Sequence, residues 1–363
     1  DKPDLHVFTT RDPIGVVAAI VPWNAEMFLT ATKVGPALAA GNAVVIKASE
    51  IAPAPLLEFA RVLDQVGFPP GVVNLLTGFG EPCGRALTSH PMVSKVAFTG
   101  GVDTARQIVA STALNLAPVS LELGGKSPIL VFDDADLDGA VNGAIAGNFG
   151  ASGQSCVAGS RVLVQAGMHD RFISELVERA EAIRIGDPLD DDSQMGPLAT
   201  RAQRDRIEAV VVESIAQGAV LHTGGARPEG LDAGWYYRPT VLGCANQDVA
   251  CTRIELFGPV MSVLSFETEA DGVAMANDTE FGLAAGIFSS DASRVHRVAR
   301  SVRAGIVWVN TYRAISPVAP FGGFGNSGSG REAGVDAIGE FTRTKTVWIN
   351  TSEQPMANPF TIR

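Results

Sequence analysis

Two residues in this chain have the types and settings that covalent chemistry needs. Cys156 stands in Gly150-Ala151-Ser152-Gly153-Gln154-Ser155-Cys156-Val157-Ala158-Gly159-Ser160-Arg161, with glycines on both sides. Small neighbours let a substrate and the backbone approach the sulfur closely, whereas a lone cysteine is otherwise a small core residue. Upstream, Glu122 lies in Val119-Ser120-Leu121-Glu122-Leu123-Gly124-Gly125-Lys126-Ser127-Pro128. That run is apolar and strand-like up to a Gly-Gly turn. An unpaired carboxylate buried there is costly, so its presence asks for a role. A cysteine nucleophile and a glutamate base make a workable pair for attack on a carbonyl carbon. An ordinary thiol has a pKa of about 8.5, so the surroundings must favour thiolate or supply a base.

Composition narrows the field. The chain has 363 residues, 46% hydrophobic and 18% charged, enough for two domains and a sizeable core. A net charge of −11 argues against nucleic acid or an anionic membrane surface as partner. The four cysteines form no Cys-x-x-Cys pair and only five histidines are present, so no metal site is expected. Sparse cysteine usage, a start without signal-peptide character and apolar runs all too short to cross a membrane read as a cytoplasmic protein.

The elements that must position these residues alternate. Residues 1–13 read as an edge strand ending at Pro13. Val16–Val21, Ala43–Ala48, Val72–Thr77, Lys95–Thr99 and Val119–Leu123 read as buried strands. Helices are expected at Phe28–Ala40, closed by Gly41, and at Pro55–Val66, with Leu56, Phe59, Val62, Leu63 and Val66 facing inward. Two more are expected near Glu81–Leu87 and over Gly101–Asn115. A second set follows. It has strands at Ser127–Phe132, Arg161–Gln165 and near 239–243, 260–266 and 305–309, with helices after Asp134, at His169–Ile183 and at 201–217. A polar loop spans 186–203 and a turn falls at Gly224-Gly225. Repeated strand–helix units imply an α/β fold with parallel sheets covered on both faces. The glycine-rich run 322–330 is consistent with a flexible surface loop.

The Glu122 and Cys156 stretches together resemble the aldehyde dehydrogenase superfamily. So do Pro22-Trp23-Asn24, Lys47-Ala48-Ser49-Glu50, Phe98-Thr99-Gly100, Glu255-Leu256-Phe257-Gly258-Pro259 and Pro320-Phe321-Gly322-Gly323, in the family's order and over nearly the whole chain. The resemblance implies a Rossmann-type dinucleotide-binding domain at 14–123 and an α/β catalytic domain at 124–326. It implies a C-terminal return at 327–363 and oligomerisation strands at 1–13 and about 342–351. It also implies NAD(P)-dependent oxidation of an aldehyde through a Cys156 thiohemiacetal and thioester, hydrolysed with Glu122 as base. Asn24 would hold the oxyanion with the Cys156 N–H, and Lys33 and Glu332 would form a proton path. Relatives that hand the thioester to coenzyme A generally lack the base, so Glu122 favours hydrolysis.

Cofactor contacts are implied for Val21, Trp23, Lys47, Ser49, Glu50, Gly100, Gly101, Ala105, Leu123, Glu255 and Phe257. Glu50 follows a strand where a dinucleotide fold places an acid on the adenosine ribose. It repels a 2′-phosphate and favours NAD, with NADP second because of Lys47. The turn at Gly100-Gly101 opens a helix that can receive the pyrophosphate. Gly101 stands where the family commonly has serine, and Ala105 where it commonly has glycine, so that the alanine methyl could crowd helix-to-strand packing. Leu29, Thr32, Ile315 and Phe321 would line a tunnel for an uncharged aldehyde. Beside them, Arg313 is a candidate for a substrate carboxylate, against a plainer surface salt bridge. Family members carry a further segment before the position matching Asp1, including a partner for the first strand. The 342–351 strand would pair across a subunit interface, so a homo-oligomer, dimer or tetramer, is expected. A cofactor-independent esterase using Cys156 and Glu122, or an inactive relative kept for binding or assembly, are the alternatives.

Overall fold

The structure, a computed structural model, describes residues 3–361. Strand β1 (Leu5–Pro13) stands apart from the first sheet, which is built from β2 (Val16–Ile20), β3 (Ala43–Lys47), β4 (Val73–Leu76), β5 (Val93–Gly100) and β6 (Val119–Leu123). These five run parallel in the order β6-β5-β2-β3-β4. Helices α1 (Glu26–Ala39), α2 (Ala54–Gln65), α3 (Arg85–Thr88) and α4 (Val102–Thr112) are the crossovers. Two apolar clusters, one around Val17, Ile46 and Leu56 and one around Ala18, Phe98 and Ile108, lie against the sheet. Burial of both faces explains why these strands are continuous apolar runs rather than alternating ones.

The second sheet begins with β7 (Pro128–Val131), which leads into α5 (Leu137–Asn148). The next elements are β8 (Arg161–Gln165), α6 (His169–Glu181), α7 (Arg201–Ala216), β9 (Val220–Thr223), β10 (Thr240–Gly243) and α8 (Ala250–Arg253). It ends with β11 (Val260–Phe266), α9 (Glu269–Asn277), β12 (Ala284–Phe288), α10 (Ala292–Ser301) and β13 (Ile306–Val309). Its order is β13-β12-β7-β8-β11-β10-β9, parallel except for β9. Asp136 caps α5 by accepting from the Gly139 N–H at 3.0 Å, as the acidic run before that helix foretold. Strands β9 and β12 and helices α8, α9 and α10 are absent from the sequence reading. β12 is Ala-Ala-Gly-Ile-Phe, fully buried, and its small residues give little strand propensity.

Strands β14 (Gly328–Ser329) and β15 (Thr342–Asn350) complete the return. Three expectations change here. The glycine-rich run is a packed strap, not a free loop: β14 pairs antiparallel with β6 at Gly328↔Glu122, and Ser327 is fully buried. Ser327 Oγ donates to the Gly124 carbonyl at 2.7 Å and accepts from the Gly282 N–H at 3.0 Å. Strands β1 and β15, expected to find partners elsewhere, pair with each other from Leu5↔Asn350 to Pro13↔Thr342. On α2 only Leu56 is buried, while Val62 and Val66 are 51% and 66% exposed. The sheet reaches one flank of that helix and leaves the other uncovered.

Candidate active site

Cys156 is half-buried on the loop that follows α5. Before it, Ala151 and Ser152 both adopt φ of 55° and Gly153 adopts 72°. Three consecutive left-handed residues are costly for non-glycines, and the loop is held by many partners. Tyr312 donates its hydroxyl to the Val157 carbonyl at 2.9 Å, and Ser152 Oγ donates to the Gly196 carbonyl at 2.9 Å. Gln154 Oε1 accepts from the Ala199 N–H at 2.8 Å. Asn24 Nδ2 donates to the Gln154 carbonyl at 3.0 Å, which brings the Pro-Trp-Asn segment onto the loop. Burial, then Glu255 and Glu122, push the Cys156 thiol up to about 12, while the Val157 and Cys156 backbone N–H groups pull it down.

Glu122 is 3% exposed on β6, and among the described residues neither carboxylate oxygen has a hydrogen-bond partner. Gly322 of the strap lies so close that a Cβ there would meet Oε1 at 2.8 Å. Burial, then the Glu332 carboxylate, raise Glu122 to about 9, against the pull of Lys33 and Arg331. Lys33 is fully buried on the inner face of α1, with Leu29, Thr30, Val34 and Ala37. Its Nζ is ion-paired with Glu332 Oε1 and donates to Thr99 Oγ1 at 2.6 Å. Glu332 is held by a two-way backbone bridge to Phe321, at 2.7 and 2.8 Å.

A cavity of about 780 Å³ opens at the carboxyl ends of β2, β3 and β5. Of the expected cofactor residues, Val21, Trp23, Lys47, Ser49, Glu50, Gly100 and Gly101 line it. Lys47 Nζ donates to the Ala48 carbonyl at 3.0 Å and sits 3.4 Å from Glu50 Oε2. Gly101 starts α4, and no atom lies within 4 Å of where its Cβ would be. Ala105 and Leu123 do not line the cavity. Both are buried in the core cluster under the sheet, and Ala105 packs there without opening α4 from β5. Glu255 and Phe257 also lie off the cavity wall. Glu255 accepts from the Gly125 N–H at 3.0 Å, and burial raises its pKa. Phe257, at φ 53°, meets Trp23 edge to face, with centroids 5.7 Å apart.

The expected tunnel residues divide. Leu29 is buried and Phe321 packs on the core around Cys156, whereas Ile315 is 48% exposed. Thr32 Oγ1 reaches Glu332 Oε2 at 3.0 Å and thereby supports the Lys33–Glu332 pair. Arg313 Nη1 donates to the Ala146 carbonyl at 3.0 Å, in the last turn of α5, with its guanidinium over Gly150. Sequence reasoning missed the far cavity wall: Gly80, Gly84 and Arg85 around α3, and Thr104, Gln107, Ile108 and Ser111 on α4. The α4 residues recur at helical spacing directly after the Gly100-Gly101 turn, which was the available signal. It also missed Gln203 and Arg206 on α7, which hold the Leu256 and Phe257 carbonyls and the Glu255 carbonyl.

Comparisons with known proteins establish the family and the fold. The model of the aldehyde dehydrogenase family matches residues 2–347. A (Z)-2-((N-methylformamido)methylene)-5-hydroxybutyrolactone dehydrogenase of Acinetobacter baylyi is 56% identical over the whole of this chain and 74% of its own length. A betaine aldehyde dehydrogenase of Brucella anthropi is 45% identical, over 94% of this chain and 70% of its own. Among solved structures, PnpE from Pseudomonas sp. WBC-3 superposes with a TM-score of 0.96 at 43% identity, over 99% of this chain and 74% of that one. A betaine aldehyde dehydrogenase from Staphylococcus aureus, in complex with NAD+, gives 0.97 at 38% identity, over 99% and 72%. With the family's order of motifs folded around one cysteine and one orphaned glutamate, this chain belongs to the aldehyde dehydrogenase family.

Proposed function

We propose that the chain oxidises an aldehyde to a carboxylic acid with NAD, through a covalent intermediate on Cys156 and hydrolysis assisted by Glu122. The observation that carries the reading is Glu122 itself. Its carboxyl is buried and unpaired, its charge is felt at the Cys156 sulfur, and its pKa is about 9. A purely structural role would leave such a carboxyl paired. A carboxyl raised that far is a strong base in the fraction that ionises, and that fraction grows as pH rises.

The large cavity fits a dinucleotide. It lies at the carboxyl ends of parallel strands, where such folds bind nucleotides, and its volume suits a cofactor. Lys47 and Glu50 would hold the adenosine ribose, with the Glu50 carboxylate disfavouring a 2′-phosphate and so selecting NAD over NADP. Gly101 and the α4 N-terminus would receive the pyrophosphate. Glu255 and Phe257 would hold the nicotinamide ribose and ring. When bound, NAD supplies the hydride acceptor.

This chain's own residues do the remainder. With its thiol pushed up to about 12, Cys156 needs a base: Glu122 in its ionised form takes the proton, and the sulfur attacks the carbonyl carbon to form the thiohemiacetal alkoxide. The alkoxide takes hydrogen bonds from the Cys156 N–H and from the second N–H of the Asn24 amide, the first being engaged by Gln154. After oxidation to the thioester, Glu122, its first proton passed on, takes a proton from water, and the hydroxide attacks the thioester and releases the carboxylate and the Cys156 thiol. The Lys33–Glu332 pair, supported by Thr32 and Thr99, receives that proton from Glu122. Leu29 and Phe321 favour an apolar aldehyde body. The exposed β1–β15 ribbon, with Phe8, Trp348 and Ile349 facing solvent, supports a homo-oligomer. Four free cysteines suit a reducing compartment, the cytoplasm.

The test is NADH formation from NAD and a panel of aldehydes that includes betaine aldehyde and a hydroxylactone, the substrates in the relatives' names. The parent chain should form NADH, and Cys156→Ala should form none while still binding NAD. NADH formed equally by the variant would sink the covalent mechanism. Failure of the parent to bind NAD would favour the cofactor-independent esterase reading.

A further inference from the structure

Outside the residues given a role above, one buried group of side chains is built for chemistry. Cys244 follows β10 and Cys251 lies on α8; both are free and buried, and their sulfurs are 3.6 Å apart. Lys126, in the turn between β6 and β7, is 1% exposed, and its Nζ has no hydrogen-bond partner among the described residues. Its ammonium acts on both sulfurs and on Glu255, and they act on it. A buried ammonium without a partner is costly, and a neighbouring thiolate is the counter-charge that relieves it. The contact between the sulfurs pushes the Cys244 thiol up and draws the Cys251 thiol down, and the Ser214 hydroxyl and Lys126 add to the pull on Cys251. A low-pKa cysteine touching a second thiol is the arrangement that oxidants convert to a disulfide.

The location gives that conversion a consequence. Helix α8 ends at Arg253, and the chain passes directly into Glu255-Leu256-Phe257, the segment gripped by Gln203 and Arg206. Joining the sulfurs moves α8 toward Cys244 and pulls on this segment. It also removes the thiolate from Lys126, on which the Glu255 carboxylate still acts. The carboxylate is then drawn toward Lys126 and away from the Gly125 N–H.

We propose that Cys244 and Cys251 form a dithiol that hydrogen peroxide oxidises to a disulfide, and that this disulfide weakens NAD binding by displacing Glu255 and Phe257. The second half rests on the cofactor reading above. The Cys251 thiolate attacks peroxide, so that an S–O bond forms and the O–O bond breaks. Hydroxide leaves and is protonated to water, giving the sulfenic acid. Cys244 then attacks the Cys251 sulfur, the S–S bond forms and the S–O bond breaks. The second hydroxide leaves with the Cys244 proton as water. Two thiols lose two electrons and one peroxide becomes two waters.

The experiment uses the full chain carrying Cys156→Ser, so that the candidate nucleophile consumes no peroxide. After treatment with peroxide, the peptide holding Cys244 and Cys251 should be lighter by two hydrogens. Calorimetry should show NAD binding weakened about fivefold, the lower end of usual coupling between sites. Dithiothreitol should reverse both, and Cys244→Ala and Cys251→Ala should show neither. Full alkylation of both thiols after peroxide and unfolding would overturn the dithiol. A disulfide with unchanged NAD affinity would overturn its effect on binding. A reduced chain that binds no NAD would overturn the cofactor reading together with that effect, and the mass shift alone would then decide the dithiol.

Discussion

At the scale of single residues, Glu122 has the sharpest consequences. Its ordinary pKa is 4.5, and in the fold it is about 9. In the proposed mechanism hydrolysis of the thioester needs the ionised form, so the rate of that step should rise with pH and reach half its plateau near 9. Glu122→Gln should lower it by about 10²–10⁴-fold and abolish the rise, as followed by single-turnover release of acid. Stability carries the opposite sign. Between 4.5 and about 9 the folded chain keeps a proton that the unfolded chain has lost. The fold therefore loses stability as pH rises through that window. Glu122→Gln removes the loss, so its Tm should exceed that of the parent above neutrality and match it in mild acid. A Tm difference independent of pH would refute the raised pKa. Arg313, by contrast, already donates to Ala146 at the end of α5. Arg313→Ala should therefore weaken the Cys156 loop and leave KM for acidic aldehydes no worse than for neutral ones.

At the scale of elements, the loop from Gly150 to Cys156 is a strained connection fixed from four directions. Gly153 shows why it must be glycine. It sits at φ 72°, and a Cβ would meet the Gly258 backbone at 2.1 Å. Gly153→Ala would add about 1–2 kcal/mol of left-handed strain and force the loop away from the segment that carries Phe257. Labelling of Cys156 should change, and NADH formation should fall to background, even where circular dichroism reports a folded chain. An active Gly153→Ala variant would show that the loop tolerates a different path. The strap at β14 acts similarly on Glu122. It pairs with β6 at Glu122 itself, and Gly322 lies so close that a Cβ there would meet the carboxyl oxygen at 2.8 Å.

At the scale of the whole molecule, Lys33 and Glu332 join α1 to the C-terminal return across 299 residues. Removing one partner leaves a buried charge and costs about 3–5 kcal/mol, so Lys33→Met should lower Tm sharply. The Lys33→Met, Glu332→Leu double variant should recover most of that stability without recovering hydrolysis. A double variant as unstable as the single one would mean that the pair has no mutual coupling. The β1–β15 ribbon makes the remaining large-scale prediction. Its nine paired positions leave Phe8 and Ile349 exposed on one face and Trp348 on the other, apolar surface suited to another copy of the ribbon. Sedimentation should find an oligomer, and Trp348→Lys should shift it toward smaller species. A monomeric parent would remove the ribbon from any role in assembly.

What the sequence determined by itself was local. Continuous apolar runs and glycine stops marked the strands and helices of the first sheet, because burial on both faces and chain reversal each impose their own residue types. Glu122 betrayed itself as a carboxylate within an apolar strand. Lys33 was legible in principle, since Leu29, Lys33 and Ala37 recur on one helical face. The tertiary structure alone decided which distant residues meet. Nothing local to Glu332 or Thr99 shows that both reach Lys33, and nothing near Gly328 shows that it pairs with Glu122. The extended character of residues 1–13 at a terminus suggested an edge strand, but its partner β15 lies at the other end of the chain. β12 was invisible because Ala-Ala-Gly becomes a strand only when two flanking strands supply its hydrogen bonds. Short-range sterics and burial are written into neighbouring residues. Long-range pairing, the orphaning of a carboxyl and the meeting of two thiols depend on surfaces that exist only once the chain has folded.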